Sequence, residues 1–155
     1  MRVLLPITVV AFETDYGGVV SNTRYVEYIE RGRYALMHAA GLKITDILAS
    51  HCVQPVVRSV EVDYLGFAVH EDELQLATWV GEHSGARTIL QYELIRCADQ
   101  SVLMRAAQTL AYLGPGSRPV RVPAMFRDAL ITTANTVKFS GTEAAATAPF
   151  QSGTP

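Results

Sequence analysis

The sequence predicts an α+β fold in which one long helix packs against a five-stranded antiparallel sheet. Apolar side chains recur at helical spacing in a single segment, residues 22–40, as they do on one face of a helix. A short β-branched stretch precedes this segment, and four stretches of alternating polarity follow it, as in half-buried strands. Helices and sheets bury their apolar faces against one another in layers, so we expect the sheet to curl around the helix.

The first predicted strand, Ile7–Phe12, is followed by a polar turn. The turn covers residues 13–18 and contains the pair Gly17 and Gly18, and paired glycines interrupt regular structure. Residues 21–23, with the sequence Ser-Asn-Thr, come next and are all good N-cap residues. They mark the predicted start of the helix.

The predicted helix covers residues 22–40 and ends at Gly41, a residue typical of helix C-termini. Gly32 lies in its interior, where glycine costs about 1 kcal/mol relative to alanine. A close approach of the helix to the sheet would explain this glycine. The apolar positions that share one face of the helix are Tyr25, Tyr28, Ile29, Leu36, Ala39 and Ala40.

The remaining predicted strands form an antiparallel meander. They cover residues 53–64, 73–82, 87–97 and 101–113. The sequence Gly-Pro-Gly-Ser-Arg-Pro at 114–119 ends the sheet, because Gly and Pro favour turns. Residues 123–131 predict a short helical turn, and residues 132–155 a low-charge peripheral tail. We therefore expect one domain, residues 1–131, followed by that tail.

The low charge of the chain indicates that another subunit covers part of its surface. Charged residues make up 18% of the 155 residues, against roughly 25% in an average soluble domain. A single small domain exposes much of its surface, and the edges of its sheet need cover. We therefore expect a homodimer or a homotetramer. The net charge of −2, without a charged block, argues against a nucleic-acid or anionic-membrane surface.

The sequence carries no signal for a membrane span or for secretion. No apolar run approaches the ~18 residues of a membrane span. The apolar run at the N-terminus is interrupted at Pro6, which is too soon for a signal peptide. We therefore expect a cytoplasmic protein.

Cysteines and histidines do not form a pattern that indicates a metal site. Cys52 and Cys97 lie far apart and are expected to be buried thiols in strands, because no C-x-x-C spacing occurs. The four histidines have no pairing at ligand spacing, so each is expected on the surface or in a turn. The histidines are His38, His51, His70 and His83. A P-loop, a dinucleotide fingerprint and a nucleophile elbow are also absent from the sequence.

Chemistry can be placed on the turn and the helix start that follows it. Asp15 supplies a carboxylate next to the Gly17-Gly18 turn, whose glycines let the backbone approach a ligand. The helix start at Asn22 and Thr23 supplies free N–H groups and the positive end of the helix dipole. A carboxylate can attack a carbonyl or activate water, while such N–H groups hold the oxyanion. The alternative is that Asp15 is only a turn residue and Asn22 only a cap.

Residues 13–33 resemble the signature of hotdog-fold acyl-CoA thioesterases of the 4-hydroxybenzoyl-CoA thioesterase family. The stretch reads ETDYGGVVSNTRYVEYIERGR, against a family pattern of roughly D-T-D-x-x-G-x-V-x-x-x-x-Y-x-x-x-F-E-x-A-R. Residues 62–74, VDYLGFAVHEDEL, are similar to the family's second strand and loop. The resemblance covers residues 7 to about 113, which is nearly the whole predicted domain.

The resemblance implies a hotdog fold that hydrolyses acyl thioesters of CoA, or of an acyl carrier protein, at sites between the protomers of a dimer. It places the role of nucleophile or general base on Asp15, and that of oxyanion donor on the backbone N–H of Asn22. Arg87 is the candidate for holding the CoA arm. The other expected substrate contacts are Gly17, Gly18, Val19, Ser21, Thr23, Tyr25 and Tyr64. No metal and no cofactor are implied, because CoA is part of the substrate.

The acyl pocket is expected beside the helix face that carries Tyr25, Tyr28 and Ile29, near residues 64–67. The alternative, which explains the two tyrosines equally well, is that their rings pack in the core while their hydroxyls reach water. The identity of the acyl group, short, long or aromatic, stays open at this point.

Two positions depart from the family pattern. Asn22 stands where many members carry His, so the sequence argues against a mechanism that uses this His. The run Val20–Tyr25 instead resembles the form seen in long-chain acyl-CoA and acyl-carrier-protein thioesterases of the same fold. Glu13 stands where Asp is usual, and we expect it to face away from the site.

Two other functions are weighed against hydrolysis. Hotdog dehydratases and hydratases use a His with an Asp or Glu, and the sequence has no His near residues 13–33. A non-catalytic acyl-CoA binder of this fold is usually fused to a DNA-binding segment, which the sequence does not show. Thioester hydrolysis is therefore the favoured function.

Overall fold

The computed structural model describes residues 2–43, 45, 47, 53–131 and 136–138, and within them six strands and two α-helices. The helices are α1, Asn22–Ala39, and α2, Ala124–Ile131. The strands are β1, Arg2–Thr8; β2, Gln54–Tyr64; β3, Glu73–Ser84; β4, Arg87–Arg96; β5, Val102–Leu113; and β6, Thr136–Lys138. The expected α+β architecture is therefore present, with a second helix, α2, where the sequence predicted only a short helical turn.

The strands of the described residues form one sheet in the order β2-β5-β4-β3-β1-β6. All neighbours are antiparallel except β1 and β6, which pair in parallel. The predicted five-stranded sheet thus lacked one short strand. The predicted meander was wrong at β2, which pairs with β5 and not with β3. Alternating polarity identifies a strand but does not tell which strand lies beside it. Residues 65–72 connect β2 to β3, which are not neighbours in the sheet.

Strand β1 begins earlier than the predicted strand Ile7–Phe12 and ends at Thr8. A 3₁₀ turn, Ala11–Glu13, then leads to the glycine pair. Pro6 lies inside β1, where β6 pairs only as far as Leu4. Beyond that point one side of β1 is an edge in the described residues, and edges are where strands accommodate proline.

Helix α1 agrees closely with the predicted helix 22–40 and packs against β1, β3 and β4. A Cβ on Gly32 would lie 2.5 Å from Thr78 Oγ1 and 2.7 Å from Leu76 Cδ2. The expected close approach of helix and sheet at this glycine is confirmed. The buried residues of α1 are Tyr25, Tyr28, Ile29, Gly32, Ala35, Leu36 and Met37.

The segment predicted as a short helical turn forms α2, whose Phe126 and Leu130 are buried. The ring of Phe126 meets that of Tyr112 edge-on at 5.1 Å. In the predicted tail, residues 136–138 pair with β1 as β6. The other residues of the range 132–155 lie outside the described part of the chain, so the domain boundary at residue 131 stays a prediction.

The expectation for the cysteines was wrong at Cys97, which is exposed in the turn after β4. Cys52 lies outside the described residues, as does His51. His70 is exposed in a turn as expected, whereas His83 lies in β3, where its Nδ1 is 2.9 Å from Thr88 Oγ1. Among the residues with described positions, no helix is both long and apolar enough to cross a membrane.

Candidate active site

Asp15 lies on a short β-ribbon that links β1 to α1. Thr14 and Val20 form an antiparallel bridge, and the Asp15 N–H donates to the Val19 carbonyl at 2.8 Å. Val19 in turn bridges to Val69, in the loop between β2 and β3. Three short backbone segments therefore meet here, and the ribbon has a defined geometry on both sides.

The glycine pair shapes the tip of this ribbon around the Asp15 carboxylate. The Gly17 N–H donates to Asp15 Oδ1 at 2.7 Å, and the Gly18 N–H donates to the Asp15 carbonyl at 3.0 Å. Gly18 has a φ of +76°, a conformation that glycine adopts without steric cost. The carboxylate is exposed in the single chain, with one oxygen engaged by its own turn and the other available for chemistry.

The N-terminus of α1 presents backbone donors next to this ribbon. Ser21 is the N-cap, and its side chain makes no capping hydrogen bond. Its Oγ lies 3.2 Å from Thr23 Oγ1. Within the described residues, the N–H groups of Asn22 and Thr23 have no hydrogen-bond acceptor, as is usual for the first turn of a helix. These donors, at the positive end of the helix dipole, suit a developing negative charge.

Two of the predicted contact residues, Tyr64 and Tyr25, lie at this helix start. The Tyr64 hydroxyl donates to the Asn22 carbonyl at 3.4 Å, and its ring meets Tyr25 edge-on at 5.3 Å. Tyr64 is half-exposed, whereas Tyr25 is buried. The Tyr25 hydroxyl accepts the Ala68 N–H at 3.2 Å instead of reaching water, and burial raises its pKa. Tyr25 therefore packs in the core.

Glu13 does not face solvent but is buried beside α1. Its Oε2 accepts the Val10 N–H at 2.9 Å, and its carbonyl accepts the Ser21 N–H at 3.0 Å. Burial, together with the nearby Glu13 carboxylate, raises the pKa of Tyr28. Glu13 thus joins the end of β1 to the N-cap of α1. The only sequence signal for this role was its departure from the usual Asp.

Arg87 is the predicted contact that the single chain does not bring to Asp15. Arg87 opens β4 at the hairpin with β3, where it pairs with Ser84. The Asp15 ribbon instead follows the end of β1 at Thr8, which pairs with Glu73 at the opposite end of β3. The two ends are separated by about 36 Å at ~3.3 Å per strand residue. Within one chain Arg87 therefore lies far from Asp15, and its expected contact with the CoA arm between protomers stays a prediction.

Tyr28 and Ile29, beside which the acyl pocket is expected, are fully buried in the single chain, and the pocket stays a prediction. Two cavities lie farther along α1 instead, with volumes of about 360 and 250 Å³. Both are lined by Tyr34 and Met37. The surface near residues 12–16 and 64–69 carries the more than half-exposed apolar side chains Phe12, Tyr16, Leu65 and Phe67.

Arg96, which the sequence did not single out, stabilises the loop that contacts the ribbon. Its guanidinium donates to the Phe67 carbonyl at 2.5 Å and to Asp72 Oδ2 at 3.0 Å. Asp72 belonged to the second family-like stretch, but its partner lies 24 residues away, and only the fold brings them together. Among the described residues, no group of three or more His, Cys, Asp or Glu could hold a metal ion.

A long helix on an antiparallel sheet, with a carboxylate turn at the N-terminus of that helix, defines a protein of the hotdog thioesterase class. The profile of the Thioesterase-like superfamily matches residues 9–130. The chain belongs to this superfamily.

Individual relatives agree with this assignment. The chain is 29% identical to an acyl-CoA thioesterase of Haemophilus influenzae, YbgC, over 76% of this chain and 86% of that relative. The structure of a probable thioesterase from Bartonella henselae is 26% identical, covers 77% of this chain and 98% of its own, and superposes with a TM-score of 0.70.

The expected likeness to 4-hydroxybenzoyl-CoA thioesterase is also found. A structure of a variant of that enzyme, complexed with 4-hydroxybenzoyl-CoA, superposes with a TM-score of 0.78 at 14% identity. It covers 83% of this chain and 98% of its own. At this identity the likeness shows that the two chains share a fold.

Proposed function

We propose that this protein hydrolyses acyl-CoA thioesters to a carboxylic acid and free CoA. The observation that carries the proposal is the ribbon of residues 14–20, which joins the exposed Asp15 carboxylate to the N–H groups of Asn22 and Thr23, for which the described residues provide no acceptor. Membership of the superfamily supports the same reaction. In this arrangement the sheet curls around α1 as the central helix, which the packing of α1 on β1, β3 and β4 supports.

In the proposed reaction, the thioester carbonyl oxygen accepts hydrogen bonds from the N–H groups at the start of α1. Asp15 either attacks the carbonyl carbon or removes a proton from the attacking water. The tetrahedral intermediate collapses with cleavage of the carbon–sulfur bond, and the CoA thiolate leaves and takes up a proton. When water is the nucleophile, this step gives the carboxylic acid directly. When Asp15 is the nucleophile, it gives a mixed anhydride, which water then hydrolyses to the carboxylic acid and free Asp15. Oxyanion donors of this kind contribute about 10²–10³ in rate. The reaction needs no metal and no cofactor other than the CoA carried by the substrate.

Release of thiol from a panel of acyl-CoAs tests the proposal. The panel contains short, long and aromatic acyl groups, and acyl-carrier-protein thioesters provide the alternative carrier. Turnover of at least one thioester is expected, and the ranking assigns the acyl group. Tight binding without release would instead support the non-catalytic binder, and hydration of an enoyl-CoA without thiol release would support the hydratase.

Two substitutions at position 22 separate the backbone N–H from the side chain. Asn22→Ala keeps the N–H, whereas Asn22→Pro removes it. Proline suits the first helical position, and Ser21 already has the extended backbone, φ −61° and ψ 142°, that a following proline requires. We expect Asn22→Pro to lower kcat by about 10²–10³-fold and Asn22→Ala to have a much smaller effect.

Steady-state kinetics on the best acyl-CoA measures both variants, and circular dichroism checks that each keeps its helix. An Asn22→Ala loss as deep as that of Asn22→Pro would mean that the side chain itself takes part. Equal activity of Asn22→Pro and wild type would remove the Asn22 N–H from the mechanism.

We also propose that the protein acts in the cytoplasm as a homodimer or homotetramer, with each site formed between protomers. The exposed apolar side chains Phe12, Leu65 and Phe67 support this, as does the largely exposed β2 at the edge of the sheet. A second protomer is also the route by which an Arg87 could approach Asp15. Light scattering is expected to give at least the dimer mass, and a stable monomer at micromolar concentration would contradict this assembly.

A further inference from the structure

We propose that Arg96 is a positioning residue of the Asp15 site, acting through the loop 65–72 between β2 and β3. This inference rests on the proposed hydrolysis, because it concerns the geometry of the same site. Arg96 lies at the end of β4 and does not belong to the ribbon or to the start of α1. Its influence would pass through backbone hydrogen bonds.

The Arg96 guanidinium uses all three of its nitrogens. Nη2 donates to the Phe67 carbonyl at 2.5 Å, Nε to Asp72 Oδ2 at 3.0 Å, and Nη1 to Asp99 Oδ2 at 3.2 Å. The Arg96 N–H donates to the Ser101 carbonyl at 2.9 Å, so the sheet fixes the backbone from which the side chain extends. A planar guanidinium can satisfy several acceptors in one fixed geometry.

The residues that Arg96 contacts border the ones that bind the ribbon. Next to Phe67, the Ala68 carbonyl accepts the Val20 N–H at 2.9 Å. Asp72 Oδ2, besides its contact with Arg96, accepts the Val69 N–H at 3.0 Å, and Val69 bridges to Val19. The loop is thus held by Arg96 at both ends of the short stretch that pairs with the ribbon.

The ribbon carries this constraint to both parts of the site. The Val19 carbonyl accepts the Asp15 N–H at 2.8 Å, so the position of Val19 sets where the carboxylate turn lies. Val20 comes two residues before the start of α1 at Asn22. A misplacement of about 1 Å between reacting groups can cost ~10²-fold in rate. Loss of the Arg96 contacts is therefore expected to reduce kcat although Arg96 touches no reacting atom.

Arg96→Lys tests this inference, because lysine keeps the charge but replaces the planar fork by a point charge. Arg105→Lys is the matched control. Arg105 also lies on a strand, where its Nε contacts Glu93 Oε1 at 3.1 Å, and within the described part of the chain it makes no hydrogen bond or ion pair with the loop 65–72. We expect kcat of Arg96→Lys to fall by about 10–100-fold, with little change in KM, and Arg105→Lys to match wild type.

The exchange rate of the Val20 backbone amide gives a second readout that does not require activity. Its hydrogen bond to the Ala68 carbonyl is expected to open more often in Arg96→Lys, so the amide exchanges faster than in wild type and in Arg105→Lys. A merely structural role would lower the melting temperature without changing kcat per folded enzyme.

The two readouts keep the failure of this inference apart from the failure of the proposed function. If wild type hydrolyses thioesters and Arg96→Lys keeps the wild-type kcat, the positioning role is wrong and the function stands. If wild type releases no thiol from any substrate, the function is wrong, and the exchange of the Val20 amide then decides whether Arg96 holds the ribbon. Unchanged exchange in Arg96→Lys overturns the inference in either case.

Discussion

Replacing Asp15 by Asn is expected to lower kcat for thioester hydrolysis by about 10²–10⁴-fold, the contribution typical of a positioned base. The amide cannot act as a base or a nucleophile, but its Oδ1 can still accept the Gly17 N–H that Asp15 Oδ1 now accepts at 2.7 Å. The turn should therefore keep its shape. Because Asp15 is exposed in the single chain, the change should leave thermal stability close to that of wild type.

Asp128→Asn provides the matched control for this substitution. Asp128 lies on α2 with an exposed side chain that contacts Arg127, away from the ribbon and from the start of α1. Thiol release by the two variants is compared on the same acyl-CoA, after thermal unfolding has shown that both are folded. An Asp15→Asn variant with the wild-type rate would take Asp15 out of the mechanism.

The helix and the turn before it could be predicted because their signals are local. A run of N-cap residues at 21–23, apolar positions at helical spacing and the pair Gly17-Gly18 each act over a few residues. The structure accordingly places α1 at Asn22–Ala39, within one residue of the prediction. Gly32 was informative for the same reason, because glycine inside a helix needs a packing explanation.

The errors concern contacts between segments that are distant in sequence. The pairing of β2 with β5 depends on the path of residues 65–72 across the sheet, which alternation of polarity does not encode. The register of β3 with β4 puts Arg87 at the far end of the sheet from the ribbon, so its expected role between protomers stays a prediction. Arg96 was missed because its partners come from two separate segments, the loop 65–72 and the turn after β4.

The exposed apolar side chains show which part of the surface is low in charge. Phe12, Tyr16 and Phe67 are each more than half exposed, and their positions in the sequence flank the Asp15 ribbon and its loop. Apolar surface beside a polar reacting group is suited to an acyl chain, to a second protomer, or to both in one interface. The surface expected to be covered by another subunit and the proposed Asp15 site thus lie at the same end of the molecule.

Gly32→Ala is expected to destabilise the fold more than any surface change discussed above. The new Cβ would lie 2.5 Å from Thr78 Oγ1 and 2.7 Å from Leu76 Cδ2, distances at which α1 or the sheet must shift. Overpacking of this kind costs about 1–3 kcal/mol, and the better helix propensity of alanine offsets up to about 1 kcal/mol. We expect a net loss of about 1–2 kcal/mol in the free energy of unfolding, measured by urea denaturation.

Thr78→Ala identifies the source of that loss. Thr78 Oγ1 is buried without a hydrogen-bond partner among the described residues, so its removal leaves no polar group unpaired and makes room at the closest contact of the new Cβ. The double variant Gly32→Ala/Thr78→Ala is therefore expected to be more stable than the sum of the two single changes predicts, by about 1 kcal/mol, as for residues in contact. Additive effects would mean that Leu76, and not Thr78, limits the approach. A Gly32→Ala variant as stable as wild type would show that α1 lies farther from β3 than the 2.5 Å between the added Cβ and Thr78 Oγ1 indicates.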